Sequence, residues 1–180
     1  MLVEAFIWSC AVNAALSLAM GGFLLSSSPA TRLKSCWIAV SFATAVWSAG
    51  QATMASASHY ETAYRAAIIA NGASLAIPVF LYFTVVSLTG LKFPGFQWVL
   101  LTSTVVTQVL NATGHIYDVA PIAPFSFYTQ AQSAYPLYVI HLLATFSVSG
   151  YLLLKAANTP DPRRRKQMLL LFWGTEISFL

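Results

Sequence analysis

Residues 64–88 read YRAAIIANGASLAIPVFLYFTVVSL, and after Arg65 no charged side chain interrupts the run. Leu, Ile, Val, Phe and Ala follow one another without the apolar-polar alternation of a strand. At about 1.5 Å per helical residue, such a segment reaches about 37 Å, more than the roughly 30 Å of hydrocarbon in a bilayer. A backbone in hydrocarbon must satisfy its own hydrogen bonds, which leaves helices or closed barrels. Continuous apolar character selects helices.

The composition extends this reading to the whole chain. Its 180 residues are 58% hydrophobic and 8% charged, whereas about a quarter of residues are charged in soluble domains. Mean hydropathy is +0.70. Apolar stretches of membrane length occupy residues 2–25, 36–55, 64–88, 96–110 and 136–154, and another starts at 168 and continues to 180. The expected fold is all-α: one polytopic transmembrane helix bundle over residues 1–180, with five full helices and a partial sixth. The first stretch carries Glu4 rather than a basic leader and is longer than a signal core, so it reads as an uncleaved span.

Charge sets the expected orientation. Arg32 and Lys34 fall in the first connection, Lys92 in the third, and Lys155 with Arg163, Arg164, Arg165 and Lys166 around the fifth. Only Arg65 lies near the second, beside Glu61, and the long fourth connection has neither lysine nor arginine. The positive-inside rule makes the basic side cytoplasmic and leaves the N-terminus outside. Six spans would return the chain to the outside, so a seventh helix after Leu180 is expected to lead to the cytoplasm. The net charge of +4 is explained by this topology, with no nucleic acid implied. Cys10 and Cys36 fall in different apolar segments at different depths, and no disulfide is expected.

Five motifs in order carry a resemblance. They are CWIAVSFATAVWSAGQ with Trp47, NGASLAIPVFLYFTVVSLTG with a mid-span proline, LNATGHIYD, the aromatic YPLYVIHLLATFSVSGYLLL, and the basic RRRKQMLLLFWG. Together they resemble the seven-transmembrane N-terminal sensor region of bacterial histidine kinases, across essentially the whole chain. The resemblance implies a receptor-like input domain in the inner membrane, part of a two-component signal-transduction system. The phosphoacceptor histidine region and the ATP-binding glycine boxes of a kinase are not in the chain, so kinase activity would belong to a longer parent.

Candidate functional residues gather in the outer half of the expected bundle. Gln108 lies one turn below Asn111, and His115 follows Asn111 by four, on one face if the helix extends that far. With Gln51, Asn71, Tyr138 and His141 they place polar groups where a ligand arriving from outside would bind. Taken singly, each also reads as a helix-to-helix hydrogen bond. Pro78 removes a backbone hydrogen bond mid-span and is a candidate hinge. Glu176 would lie about 12 Å beyond the basic cluster, where a carboxylate must be protonated, paired or functional. It is the second candidate switch residue.

Other chemistries find less support. A haem needs a second axial ligand at matched depth, and His59 and His115 lie at loop ends. A proton-coupled transporter or channel subunit would rest on Glu176 alone. No zinc spacing, P-loop or nucleophile elbow is present. No catalytic residue, cofactor or metal is therefore expected. The expected partners are membrane lipids, a small-molecule ligand, the parent's cytoplasmic signalling domain, and a second copy of the chain as a homodimer.

Overall fold

The computed structural model describes residues 1–27 and 30–177, with side chains through residue 174. Six helices form in order: α1 (Leu2–Ser26), α2 (Arg32–Ser56), α3 (Tyr60–Thr89), α4 (Phe96–Ala112), α5 (Tyr135–Ala157) and α6 (Pro162–Ile177). Between α4 and α5 lie two strands, β1 (Tyr117–Ile122) and β2 (Phe125–Ala131). By length and hydropathy α1, α3 and α5 are able to cross a membrane. The chain is therefore mostly helical, with three candidate membrane-spanning helices.

Helix α3 is the centre of the bundle and packs against α2, α4 and α5, while α1 lies along α2 and α6 along α5. The α2–α3 contact is close because small residues face each other: a Cβ built on Gly50 would lie 2.7 Å from Ala70 Cβ and 3.0 Å from the Ala66 carbonyl oxygen. Two clusters mark the two ends of the bundle. At one, Tyr82, Leu100, Leu152, Leu153 and Met168 join the ends of α3 and α5 to the beginnings of α4 and α6. Eight of the nine basic residues belong to that end by their positions in these elements. At the other, Met54, Ala63, Ala67 and Val119 join α2 and α3 to the strands. Here Arg65 Nε meets Glu61 at 2.7 Å.

The strands correct the all-α expectation, which left residues 111–135 as a connection. Tyr117 pairs with Ala131, Val119 with Thr129 and Ala120 with Tyr128, antiparallel, with an irregularity between Ala120 and Ile122. Pro121, which has no N–H to give a ladder, sits at that irregularity. Aromatic residues at 125 and 127 fit a strand, and Val119 is buried against α2 and α3. Phe6 of α1 meets Phe125 edge-on at 5.1 Å, so the hairpin also touches the first helix.

Helix starts shift as well. Thr31 caps α2, its Oγ1 accepting from Lys34 N at 3.2 Å, so α2 begins before residue 36. Helix α6 begins at Pro162 rather than 168, with Asp161 Oδ1 accepting from Arg163 N at 3.0 Å. The basic cluster thus occupies the first two turns of a helix instead of a connection. The Glu176 side chain lies outside the described residues.

The close α2–α3 contact makes a direct prediction. Gly50→Leu is expected to destabilise the bundle by about 1–3 kcal/mol, as overpacking does, whereas Gly22→Ala, whose Cβ would meet nothing within 4 Å, leaves stability unchanged or slightly raised. Thermal unfolding of the two variants in detergent checks this, and equal behaviour would contradict the packing account.

Candidate functional site

Among the polar residues of α4, Ser103, Thr107 and Asn111 fall four apart, with Gln108 beside them, and form a stripe along one face. That stripe is turned towards α3 and α5. Asn111 Nδ2 donates to the Ile68 carbonyl at 3.0 Å, and Gln108 Nε2 donates to the Gly72 carbonyl at 2.7 Å. Glycine at 72 permits this approach: a Cβ there would come within 3.2 Å of Gln108 Oε1. Both amides therefore join α4 to the backbone of α3.

Two further pairs tie α5 to its neighbours. Tyr138 OH and Ser74 Oγ are 3.0 Å apart, joining α5 to α3 one turn before the buried Pro78. His141 Nδ1 and Ser103 Oγ are 2.9 Å apart, joining α5 to α4. The His141 ring also faces the Leu75 carbonyl of α3, although among the described residues no well-aligned hydrogen bond forms at Nε2. His141 is 4% exposed. It therefore sits where three helices meet, bonded firmly to α4 and only loosely to α3.

A groove of about 190 Å³ opens between α4 and α5, lined by Val99, Ser103, Val106, Leu137, Ile140 and His141 among others. Its walls are almost wholly apolar. An apolar cavity of about 150 Å³ is large enough to take benzene, so a small ring or a length of alkyl chain fits this one. Among the described residues, no three of His, Cys, Asp and Glu come together as a metal site.

The remaining expected site residues distribute around this centre. Asn71 is buried with Nδ2 unmatched, and Gln51 of α2 is buried with Oε1 unmatched. Unmatched buried polar atoms of this kind each cost roughly 1–3 kcal/mol. His115 stands apart, because α4 ends at Ala112. Its exposed ring bonds Thr113 Oγ1 through Nδ1 at 2.9 Å, so it does not share the Asn111 face. The turn that carries it needs Gly114, with φ +74° and a Cβ position 2.8 Å from Tyr64 OH. Sequence reasoning missed Ser103. The four-residue spacing of Ser103, Thr107 and Asn111 was the available signal for it.

The hairpin closes this end with tyrosines. Tyr117 of β1 packs its ring 5.4 Å from Tyr135 and 5.4 Å from Tyr138, and Tyr60 OH donates to Asp118 Oδ1 at 2.8 Å. Burial, and then the neighbouring Tyr138 phenol, pushes the Tyr117 phenol well above its ordinary value.

No family model, curated protein or solved structure matches the chain.

The raised Tyr117 phenol has a pH consequence. Folding favours its neutral form, so this contribution to stability is complete below the unfolded value of about 10 and is lost as pH rises through and above it. The unfolding temperature is expected to fall above about pH 10, and to fall less steeply in Tyr117→Phe. Alkaline unfolding curves of the two proteins measure the difference.

Proposed function

We propose that the chain is the membrane-embedded input region of a bacterial signal-transduction protein of histidine-kinase type, with its hairpin end and N-terminus outside the inner membrane. A small apolar or amphipathic molecule binds in the α4–α5 groove beneath the hairpin. The observation that carries this reading is His141: buried in the groove wall, paired to Ser103 across the groove, and facing the Leu75 carbonyl in the Ser74–Pro78 stretch of α3 with no well-aligned hydrogen bond there among the described residues. In the proposed topology α2, α4 and α6 also cross the bilayer, and the effector is a cytoplasmic signalling domain of a parent protein.

The mechanism follows from which contacts a ligand would alter. A molecule seated between α4 and α5 bears on the His141–Ser103 and Tyr138–Ser74 pairs, which fix α5 against its neighbours. Helix α5 runs on to Ala157 and packs against α6. A ligand that prefers one α5 position shifts the balance between two packings, and α6 carries the shift towards the effector. Pro78 is the hinge in this scheme, because the Ser74 carbonyl loses its helical donor there.

Groove filling tests the reading. Ala144 lines the groove and is exposed, so Ala144→Trp is expected to occupy it without disturbing the core, and His141→Leu to remove its polar wall. Each should reduce ligand-dependent output of the full parent protein at least about tenfold, within the usual range of coupling between sites. Unchanged output from both, or a gene that continues without a signalling domain, would overturn the reading.

A further inference from the structure

At the basic end of the bundle, the α5–α6 turn and the first turns of α6 enclose a cleft of about 410 Å³. Its upper part is formed by Thr159 and Pro160 with the cationic Arg165 and Lys166, and its lower part by Leu170 and Trp173. Arg165 and Lys166 line this cleft and the neighbouring Arg163 and Arg164 do not, so the structure divides a cluster that looks uniform in sequence.

Charge in the cleft is not balanced by protein. Among the described residues none of Arg163, Arg164, Arg165 and Lys166 forms an ion pair, and the one nearby acid, Asp161, uses Oδ1 to accept from Arg163 N. Three arginines in the first turn of α6, with Lys166 opening the second, also oppose the helix dipole, whose positive end lies there. An anion bridging Arg165 and Lys166 relieves both conditions. Below those cations the same wall turns apolar: Leu170 is 62% exposed and Trp173 57% exposed. An anion that carries a hydrocarbon chain satisfies the whole wall, and a bare anion satisfies half of it.

We propose that the α5–α6 cleft is a binding site for one anionic phospholipid, its phosphate held between Arg165 and Lys166 and an acyl chain laid along Leu170 and Trp173. The site needs only that this end of the bundle meets a membrane surface, and it does not rest on the sensor reading. Basic clefts between helices at such a surface hold acidic headgroups in this way. Because α6 follows α5 directly, bound lipid also fixes the angle at which α6 leaves the turn.

Spin-labelled lipids in nanodiscs holding the full chain test the proposal. Labelled phosphatidylglycerol is expected to show an immobilised fraction, with an apparent affinity about thirtyfold above labelled phosphatidylcholine, in keeping with two near-surface charges. Arg165→Gln with Lys166→Gln should bring the two lipids close to parity. Arg163→Gln with Arg164→Gln removes the same charge and should leave most of the preference, as should Arg165→Lys alone. Glycerol phosphate or inorganic phosphate should not displace the label. An equal loss in the two double variants would show diffuse attraction rather than a site, and displacement by inorganic phosphate would show a soluble-anion site. Either result, or no preference in the unaltered protein, overturns the proposal.

Discussion

The backbone of α3 is the surface on which the bundle is assembled. Apolar helices surrounded by lipid gain little from hiding apolar side chains from one another, so close contact and hydrogen bonds must hold them together. Each neighbour of α3 uses one of these means. Helix α2 approaches through Gly50 against Ala66 and Ala70, α4 donates two amides to the Ile68 and Gly72 carbonyls, and α5 bonds Ser74 through Tyr138. All of these contacts fall between residues 66 and 74 of α3. The residues beyond Pro78 pack mostly through apolar side chains, with Tyr82 and Val85 in the cluster that α5 and α6 complete.

This division explains the location of the hairpin and of the groove. At the polar half, the ends of α2 and α3 expose small residues such as Ala63 and Ala67, and the hairpin covers them with Val119 and aromatic rings. Helix α4 is drawn to α3 by its amides, and α5 is drawn to α3 by Tyr138. Between α4 and α5 themselves the direct polar tie is the His141–Ser103 pair. A gap therefore remains along their apolar sides, and that gap is the groove.

Helix existence was legible because apolar runs of membrane length allow few other structures. The fourth connection was harder. In YDVAPIAPFSFYTQ the strand signal is aromatic and β-branched character spread over two short segments with two prolines, and a hairpin of this kind depends on the helix ends beneath it for a buried face. The polar residues were legible as contacts between helices, since Gln108, Asn111 and Tyr138 bond α3 and His141 bonds α4. Their partners were not, because all four partner atoms are main-chain or serine oxygens that leave no mark in composition. His115 failed for a local reason: Gly114 turns the chain out of the helix one residue before it.

The unmatched atoms sharpen what a conformational change in this bundle would involve. Gln51 Oε1, Asn71 Nδ2 and His141 Nε2 lie in the hairpin half, where rearrangement can gain hydrogen bonds as well as lose them. The apolar cluster at the other end holds one such atom, Tyr82 OH, and its remaining side chains only give up packing when they move. Helix α5 links the two, carrying His141 in one half and Leu152 and Leu153 in the other. A small displacement at its hairpin end is therefore met by a firmly packed far end, and α5 is inclined to pivot as a body rather than bend. The part of the chain that such a pivot reaches first is the α5–α6 turn, where the cationic first turn of α6 begins.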